Sequence, residues 1–389
     1  MDFTSSIGSP TVLWTFRILL VIILAYSGYM MSVKDQKQSK FFFWFAVISF
    51  ALIEGLRWMR GPDYSNYYDY FETGTAIAIT DKATEPLFVL WIKLFNYLNL
   101  YPPIGFIIHS GLLIFSFALM MKNYNKAIFL ALPLFFIILG SSAENIVRQY
   151  TATSFLMLAY YFYSCNKNYQ VYICFLVAVL FHYSSLFVVL LLFLLQWKRI
   201  PFKYPIVYVA LYLFLYATWD PSWLDGFSTW VQGASIIIGD VGSFQKYVDD
   251  SDFWMTSESS FSAIQGTAYS GTRIVFTTIK LVANSSIIYY GFRACKADAK
   301  LHVVFYFTFL ALILLVMFGD ILILFRFVLW LNWMLPFTVG LIWYKKDVFK
   351  FPAMKYVAFG AIFLHYVYYG FIYYIGSTPL TGCGFIWDK

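Results

Sequence analysis

The chain has 389 residues and a formal net charge of +7; 61% of its residues are apolar, 23% are aromatic and only 12% are charged. A soluble domain is about one quarter charged, and a disordered chain has low hydrophobicity, so this composition excludes both classes. The apolar runs are continuous over roughly 15–25 residues, the length of a helix that crosses a bilayer, and they lack the alternation of barrel strands. The sequence therefore predicts an all-α polytopic membrane protein in which residues 1–389 form a single integral membrane domain.

Twelve apolar runs predict twelve transmembrane helices. The first run has no small-x-small cleavage site behind it, so we interpret it as a retained span and not as a signal peptide. In chain order, the predicted spans cover residues 11–31, 41–57, 104–121, 127–140, 147–164, 170–182, 184–196, 204–218, 271–292, 301–318, 321–343 and 352–375.

The positions of the charges predict the orientation. If the loop over residues 32–40 is cytoplasmic, sixteen of the 27 basic residues but only three of the 20 acidic residues lie on that side, in agreement with the positive-inside rule. Both termini then lie outside, in the periplasm or the extracellular space, and the net charge reflects basic inner loops and not a nucleic-acid partner. Two large loops lie outside, over residues 58–103 and 219–270, whereas no inner loop is long enough for a nucleotide-binding domain.

Two segments do not fit simple spans. Residues 170–196 are apolar over 27 positions with basic residues at both flanks, so they form either two short spans that meet at Phe181-His182-Tyr183 or a re-entrant pair. The apolar run over residues 86–98 is shorter than a typical transmembrane helix. We therefore predict a short interfacial or re-entrant helix on the outer side, with Pro86 in its first turn.

The outer end of the second span carries basic and aromatic residues. Arg57 and Arg60 are three residues apart and are expected to share a helix face before Gly61-Pro62 ends the helix. Arginine binds phosphate oxygens and aromatic rings stack on sugars, so this run indicates a phosphate and sugar site. The alternative is an aromatic belt with snorkelling arginines. The candidate residues that follow are Asp63, Tyr64, Tyr67 and Tyr68.

Further ionisable residues lie in or beside predicted spans, where their cost marks them as functional candidates. Glu85 opens the short helix, although capping of the helix dipole would also explain it. Asn145, Arg148 and Gln149 are expected on one face at the outer start of the fifth span. His182 is a candidate general base or phosphate donor; the alternative is a satisfied polar residue in an apolar helix.

The later spans add four charged candidates. Asp320 and Arg326 bracket the turn before the eleventh span, and Arg326 lies too deep for an interfacial anchor alone; a buried pair of the two is the alternative. Arg273 and Lys280 share a face of the ninth span. The four cysteines and the run Asp249-Asp250-Ser-Asp252 fit no metal pattern, so we expect neither a metal nor another cofactor.

Four arginines are thus predicted on one side of the membrane, without a nucleophile motif or a metal motif. Several cations that converge in the outer leaflet indicate an anionic ligand that resides there, and a lipid-linked diphosphate fits best. The four are Arg57, Arg60, Arg148 and Arg326.

The order and spacing of these motifs resemble those of the EpsG family of Wzy-type polysaccharide polymerases. The resemblance covers about residues 41–345. It rests on Arg60-Gly-Pro-Asp63-Tyr64-x-x-Tyr67, Glu85-Pro-Leu-Phe, Asn145-x-x-Arg148-Gln149, Phe181-His182-x-Ser-x-Leu and Arg326.

The resemblance implies a membrane glycosyltransferase with a GT-C-like shape in the bacterial inner membrane, with its active site facing the periplasm. Such an enzyme extends O-antigen, capsule or exopolysaccharide chains. It transfers the growing glycan from undecaprenyl diphosphate to a lipid-linked repeat unit and uses no nucleotide sugar. A chain-length regulator protein is an expected further partner, besides the lipid-linked oligosaccharide and the bilayer.

The resemblance also implies roles for the candidate residues. Arg148 and Arg326, with Arg57 or Arg60, would bind the diphosphate and stabilise the leaving group. One of His182, Asp63 and Glu85 would deprotonate the acceptor hydroxyl. The substrate would be bound by Tyr64, Tyr67 and Tyr68 along the glycan path, with Asn145, Gln149 and Arg273 nearby. Residues 219–270 would form a lid that excludes water.

Two other functions remain open on the sequence. A lipid-linked oligosaccharide flippase or another transporter also has many spans and charges within the membrane, but its two halves are normally related, and residues 1–196 and 204–389 show no repeat. A membrane O-acyltransferase would present a histidine on the cytoplasmic side, which the charge distribution disfavours.

Overall fold

A computed structural model describes residues 8–61, 63–74, 85–195, 202–220, 223, 270–319, 322–349, 351–374 and 383–388. These residues are almost entirely helical, and the exceptions include two antiparallel strands of two residues each, β1 (Arg57–Trp58) and β2 (Gly384–Phe385). The helices are α1 (Pro10–Val33), α2 (Gln36–Gly55), α3 (Tyr64–Thr73), α4 (Pro86–Tyr97), α5 (Pro102–Met120), α6 (Ile128–Asn145), α7 (Val147–Ser164), α8 (Asn168–Phe181), α9 (Leu186–Leu195), α10 (Pro205–Thr218), α11 (Ser270–Cys295), α12 (Ala299–Phe318), α13 (Leu322–Leu329), α14 (Met334–Tyr344) and α15 (Pro352–Tyr366), with a π-helical continuation over Val367–Tyr374.

Five segments among the described residues are long and apolar enough to cross a membrane. They are Pro10–Val33, Pro102–Met120, Lys122–Gly140, Ala299–Phe318 and Leu324–Tyr344. This confirms an all-α integral membrane protein. The count of twelve spans stays a prediction, because several other apolar helices, such as α8 and α10 with 14 residues each, are shorter than a typical span.

The sequence explains where many helices begin. Proline occupies the first turn of five helices, where its missing N–H costs nothing: Pro10, Pro86, Pro102, Pro205 and Pro352. The side chains of Asp35 and Asp298 cap α2 and α12 by accepting hydrogen bonds from the backbone N–H groups of Gln38 and Lys300.

The core lies where α6 packs between α1 and α14, and where α2, α5 and α7 pack in sequence beside them. Trp330 and Trp333 are fully buried in this core. By contrast, α1 exposes Ile18 and Ile22, as expected of a helix face that meets lipid.

Three helix interruptions shape the functional region. The chain breaks at Ile146 between α6 and α7, at His182 between α8 and α9, and at Trp330–Trp333 between α13 and α14. The break at His182 agrees with the predicted meeting of two short helices. The third break interrupts the predicted span over residues 321–343, and Leu324–Tyr344 remains one of the five segments able to cross a membrane. Interrupted backbone within a membrane is tolerated where protein or a cavity surrounds it.

Two local predictions were wrong. Arg57 and Arg60 do not share a helix face, because α2 ends at Gly55 and Arg57 enters β1, which pairs with Phe385 near the other end of the chain. Asn145 does not share a helix with Arg148 and Gln149, because it is the last residue of α6 and the other two belong to α7. The helix α3 within the predicted loop 58–103 was not foreseen.

Candidate functional site

Glu85 links a histidine and an arginine from two other parts of the chain. Its Oε1 atom lies 2.7 Å from His182 Nδ1, and its Oε2 atom accepts a hydrogen bond of 2.8 Å from Arg148. The Glu85 side chain is 9% exposed, whereas those of His182 and Arg148 are 22% and 32% exposed. The Glu85 carboxylate is therefore largely buried, whereas the side chains of His182 and Arg148 remain partly exposed.

Each of the three residues sits at a helix end. Glu85 is the N-cap of α4 and makes no side-chain capping hydrogen bond, because its carboxylate contacts His182 and Arg148; stabilisation by the helix dipole stays an alternative. Arg148 is in the first turn of α7, directly after the break at Ile146. His182 has an extended backbone between α8 and α9, which turns its imidazole away from the regular helix pattern.

The surroundings of Glu85 keep its carboxyl group ionised. Burial alone would raise the pKa of Glu85, but the hydrogen bond with His182 and the charge of Arg148 outweigh burial and lower the pKa to about 2. A carboxylate with so low a pKa is a weak base. It is suited to orient His182 and Arg148 and not to accept a proton near neutral pH.

The third break, between α13 and α14, lies beside His182. The His182 imidazole is stacked on the Trp330 ring, with centroids 5.7 Å apart and planes at 22°. Gln149 Nε2 donates to the backbone oxygen of Arg326 at 3.2 Å, which ties α7 to α13. Arg326 is thus placed in the helix that adjoins the Arg148 site, and its side chain is partly buried.

A second set of charged residues forms a buried ionic cluster, composed of Arg17, Glu54, Arg57, Arg60 and Glu144. Glu144 Oε1 accepts from Arg17 at 2.9 Å and from Arg60 at 3.0 Å, and the side chains of these arginines are 2% and 0% exposed. Arg57 donates to the backbone oxygen of Glu54 at 2.8 Å. The predicted ligands Arg57 and Arg60 therefore carry internal contacts, and their assignment to the substrate stays a prediction.

The buried ionic cluster borders a small cavity. The cavity is about 20 Å³, room for about one water molecule, and its lining includes Glu54, Arg57, His109, Glu144 and Thr151. Arg17 and Glu54 were not among the sequence candidates. The signal for both was available, since each is an ionisable residue inside a predicted apolar span.

Gly61 and Asp63 attach the segment after β1 to the break between α6 and α7. The backbone N–H of Asp63 donates to Asn145 Oδ1 at 2.9 Å. Gly61 has a φ of +93°, and a Cβ atom there would lie 3.2 Å from Asn145 Cα. Glycine is therefore required both by the backbone conformation and by the close approach.

The tyrosines predicted along the glycan path are packed inside the molecule. Tyr64, Tyr67 and Tyr68 are 1%, 5% and 7% exposed. Tyr64 stacks on Phe106, and burial raises its pKa. Tyr67 interacts electrostatically with Arg148, so it belongs to the surroundings of the Arg148 site. Their contact with sugar stays a prediction.

Some candidates fall outside the described residues. Asp320 and most of the loop 219–270 are among them, and the backbone of Arg273 lies in α11 but its side chain is not described.

The model of the EpsG family matches residues 40–381, which is most of the chain. No curated protein and no solved structure matches this chain.

Proposed function

The chain belongs to the EpsG family, a family of Wzy-like polymerases, and on that premise we propose that it joins lipid-linked repeat units into a polysaccharide. The donor is a growing glycan on undecaprenyl diphosphate, and the acceptor is a newly delivered repeat unit on the same lipid. The reaction takes place at the periplasmic face of a bacterial inner membrane, in a GT-C-like bundle of twelve spans with periplasmic termini.

The proposed reaction is a single glycosyl transfer. A hydroxyl oxygen of the acceptor sugar forms a bond to the anomeric carbon of the donor, and the bond from that carbon to the diphosphate oxygen breaks. The electron pair leaves with undecaprenyl diphosphate, and the hydroxyl proton passes to a base. The energy of the diphosphate ester drives the step, so no nucleotide sugar is needed.

The arrangement of Glu85 between Arg148 and His182 is the observation that carries this proposal. Arg148 has five N–H donors, and its observed side-chain hydrogen bond to Glu85 engages only part of them. Its 32% exposure gives a phosphate access to the guanidinium. Arg148, together with Arg326 on the adjoining helix, binds the diphosphate and stabilises the charge that develops on it.

His182 is the proposed general base. Its Nδ1 faces the ionised Glu85 carboxylate, which fixes the proton on Nδ1 and leaves Nε2 to accept the proton of the acceptor hydroxyl. Glu85 acts through His182, because both of its oxygens are engaged and its pKa is about 2. Asp63, whose backbone N–H donates to Asn145 beside the break between α6 and α7, is the second candidate for the base.

The remaining predicted residues have supporting roles in this proposal. Gln149 and Asn145 hold the helix ends that carry Arg326 and Asp63. The loop over residues 219–270, most of which lies outside the described residues, keeps its predicted role as a lid that excludes water, which would otherwise hydrolyse the donor. A separate chain-length regulator controls when the polymer is released.

Replacement of the two diphosphate-binding arginines tests the proposal. In a strain that lacks the gene, Arg148→Ala and Arg326→Ala are expected to leave single repeat units in place of a ladder of long chains. Arg293→Ala is the control, since Arg293 is a half-buried arginine bonded to Tyr289, away from the predicted outer face. Normal ladders from both site variants would contradict the proposal. Complete loss of repeat units from the cell surface would favour a flippase.

A further inference from the structure

His109 is a buried histidine that the proposed chemistry does not use. It lies in α5 and is 8% exposed. Both of its ring nitrogens have partners: Trp91 Nε1 donates to His109 Nε2 at 3.1 Å, and His109 Nδ1 lies 2.6 Å from Thr151 Oγ1. The two partners come from α4 and α7, so the histidine joins three helices.

The partners determine where the protons are. An indole N–H only donates, so Nε2 of His109 must accept and carries no proton. The neutral imidazole then has its proton on Nδ1 and donates it to Thr151 Oγ1. The Thr151 hydroxyl in turn donates to the backbone oxygen of Val147 at 2.8 Å. A second proton on His109 would place two donors, Nε2–H and the Trp91 indole N–H, face to face.

This series of hydrogen bonds, from Trp91 through His109 and Thr151 to Val147, connects the two sides of the candidate site. It begins in α4, six residues after Glu85, and it ends at Val147, which directly precedes Arg148. The contact between α4 and its neighbours is otherwise largely apolar, through the buried side chains of Phe88, Ile92 and Phe95. Apolar packing has little directional preference, whereas a hydrogen-bonded chain fixes both distance and rotation.

We propose that Trp91, His109 and Thr151 form a positioning relay that holds Glu85 opposite Arg148 and His182. None of the three residues needs to touch substrate for this. The relay fixes α4 on α7, and thereby the distance between the Glu85 carboxylate and its two partners. Its consequence for catalysis rests on the proposed function, but the relay itself does not.

Nitrogen NMR of the full chain, labelled with ¹⁵N-histidine in lipid nanodiscs, tests the relay without an activity assay. Wild-type His109 is expected to show a protonated Nδ1 and an unprotonated Nε2. Thr151→Val removes the acceptor of His109 with little change of shape, and it is expected to shift the signals of His182 as well, although Thr151 does not touch His182. His182→Asn assigns those signals.

Thr153→Val is the matched control. Thr153 is equally buried in α7 and makes the same kind of hydrogen bond, to the backbone oxygen of Gln149 at 2.9 Å, but it is not hydrogen-bonded to a histidine. A protonated Nε2 on wild-type His109, or equal effects of the two variants on His182, would overturn the relay.

The rate of polymer formation provides a second test of the relay. Loss of one acceptor for a buried donor is expected to lower the rate of polymer formation by Thr151→Val about tenfold, with little change in the KM for the repeat unit. Thr151→Ser retains the hydroxyl and is expected to restore the rate. If the wild-type chain makes no polymer, the proposed function fails while the NMR result still decides the relay.

Discussion

Glu85 and His182 are 97 residues apart in the chain, yet Glu85 Oε1 lies 2.7 Å from His182 Nδ1. The contact forms because the start of α4 meets the break between α8 and α9. An ionised carboxylate at this distance orients the imidazole and stabilises the imidazolium that forms when Nε2 takes up a proton. It is the feature on which the proposed chemistry depends most directly.

Replacement of Glu85 by glutamine is expected to lower polymer formation by about 10²–10⁴, the usual contribution of general acid–base catalysis. The shape of the side chain is kept, but the charge that orients His182 and pairs with Arg148 is lost. The rate is measured with membranes and a lipid-linked repeat unit. Glu72→Gln, at an exposed position of α3, is the control. Equal rates for the two variants would remove Glu85 from the mechanism.

The low pKa of Glu85 predicts how its stabilising contribution depends on pH. Because the pKa is lowered from 4.5 to about 2 in the folded protein, the folded state binds this proton less tightly than the unfolded state. The contribution is therefore complete above about pH 4.5 and is lost as the pH falls toward 2. The difference in melting temperature between wild type and Glu85→Gln should shrink over that range. A difference that grows as the pH falls would contradict the assigned direction.

The buried ionic cluster predicts a different outcome for Glu144. Glu144→Gln leaves Arg17 and Arg60 without their shared carboxylate, and a buried charge that loses its partner costs about 3–5 kcal/mol. The free energy of unfolding in detergent should fall by about this amount. Asp347→Asn is the control, because the Asp347–Lys355 pair has similar geometry at 3.2 Å but is exposed. A loss for Glu144→Gln as small as that of the control would show that the cluster is not a source of stability.

Gly61 provides a test of the segment that follows β1. Gly61→Ala places a side chain at a φ of +93° and 3.2 Å from Asn145 Cα, and the backbone conformation alone costs about 1–2 kcal/mol. We expect a lower melting temperature and reduced polymer formation, because Asn145 adjoins the break before Arg148. Gly360→Ala is the matched control, since nothing lies within 4 Å of a Cβ atom there. An unchanged melting temperature for Gly61→Ala would argue against this close approach.

The sequence predicts the class of fold and part of the site. Continuous apolar runs identify membrane helices. Glu85-Pro86 correctly marks the start of α4, and Phe181-His182 marks the break between α8 and α9, because proline and an isolated polar residue act locally. The break at Trp330–Trp333 contains one polar residue, Asn332, but no proline or glycine, and it was not predicted.

The sequence does not reveal which residues each of these side chains contacts. Arg57, Arg60 and Arg148 look alike as outer arginines, but the first two are buried by pairing of β1 with β2 and by Glu144, whereas Arg148 faces Glu85. These contacts join residues that are separated by 63 to 328 positions in the chain, so a local sequence pattern does not predict them. The sequence likewise predicts that Tyr64 contacts sugar, but in the structure its ring is stacked on Phe106.

The most direct measurement uses the purified full chain in nanodiscs with an undecaprenyl-diphosphate-linked repeat unit and no nucleotide sugar. Polymer is expected to form, with one undecaprenyl diphosphate released for each new glycosidic bond. His182→Ala and Arg148→Ala are expected to reduce both products together. A wild-type protein that moves the repeat unit across the bilayer without forming a glycosidic bond, or that forms bonds at the same rate without His182 and Arg148, would contradict the proposed function.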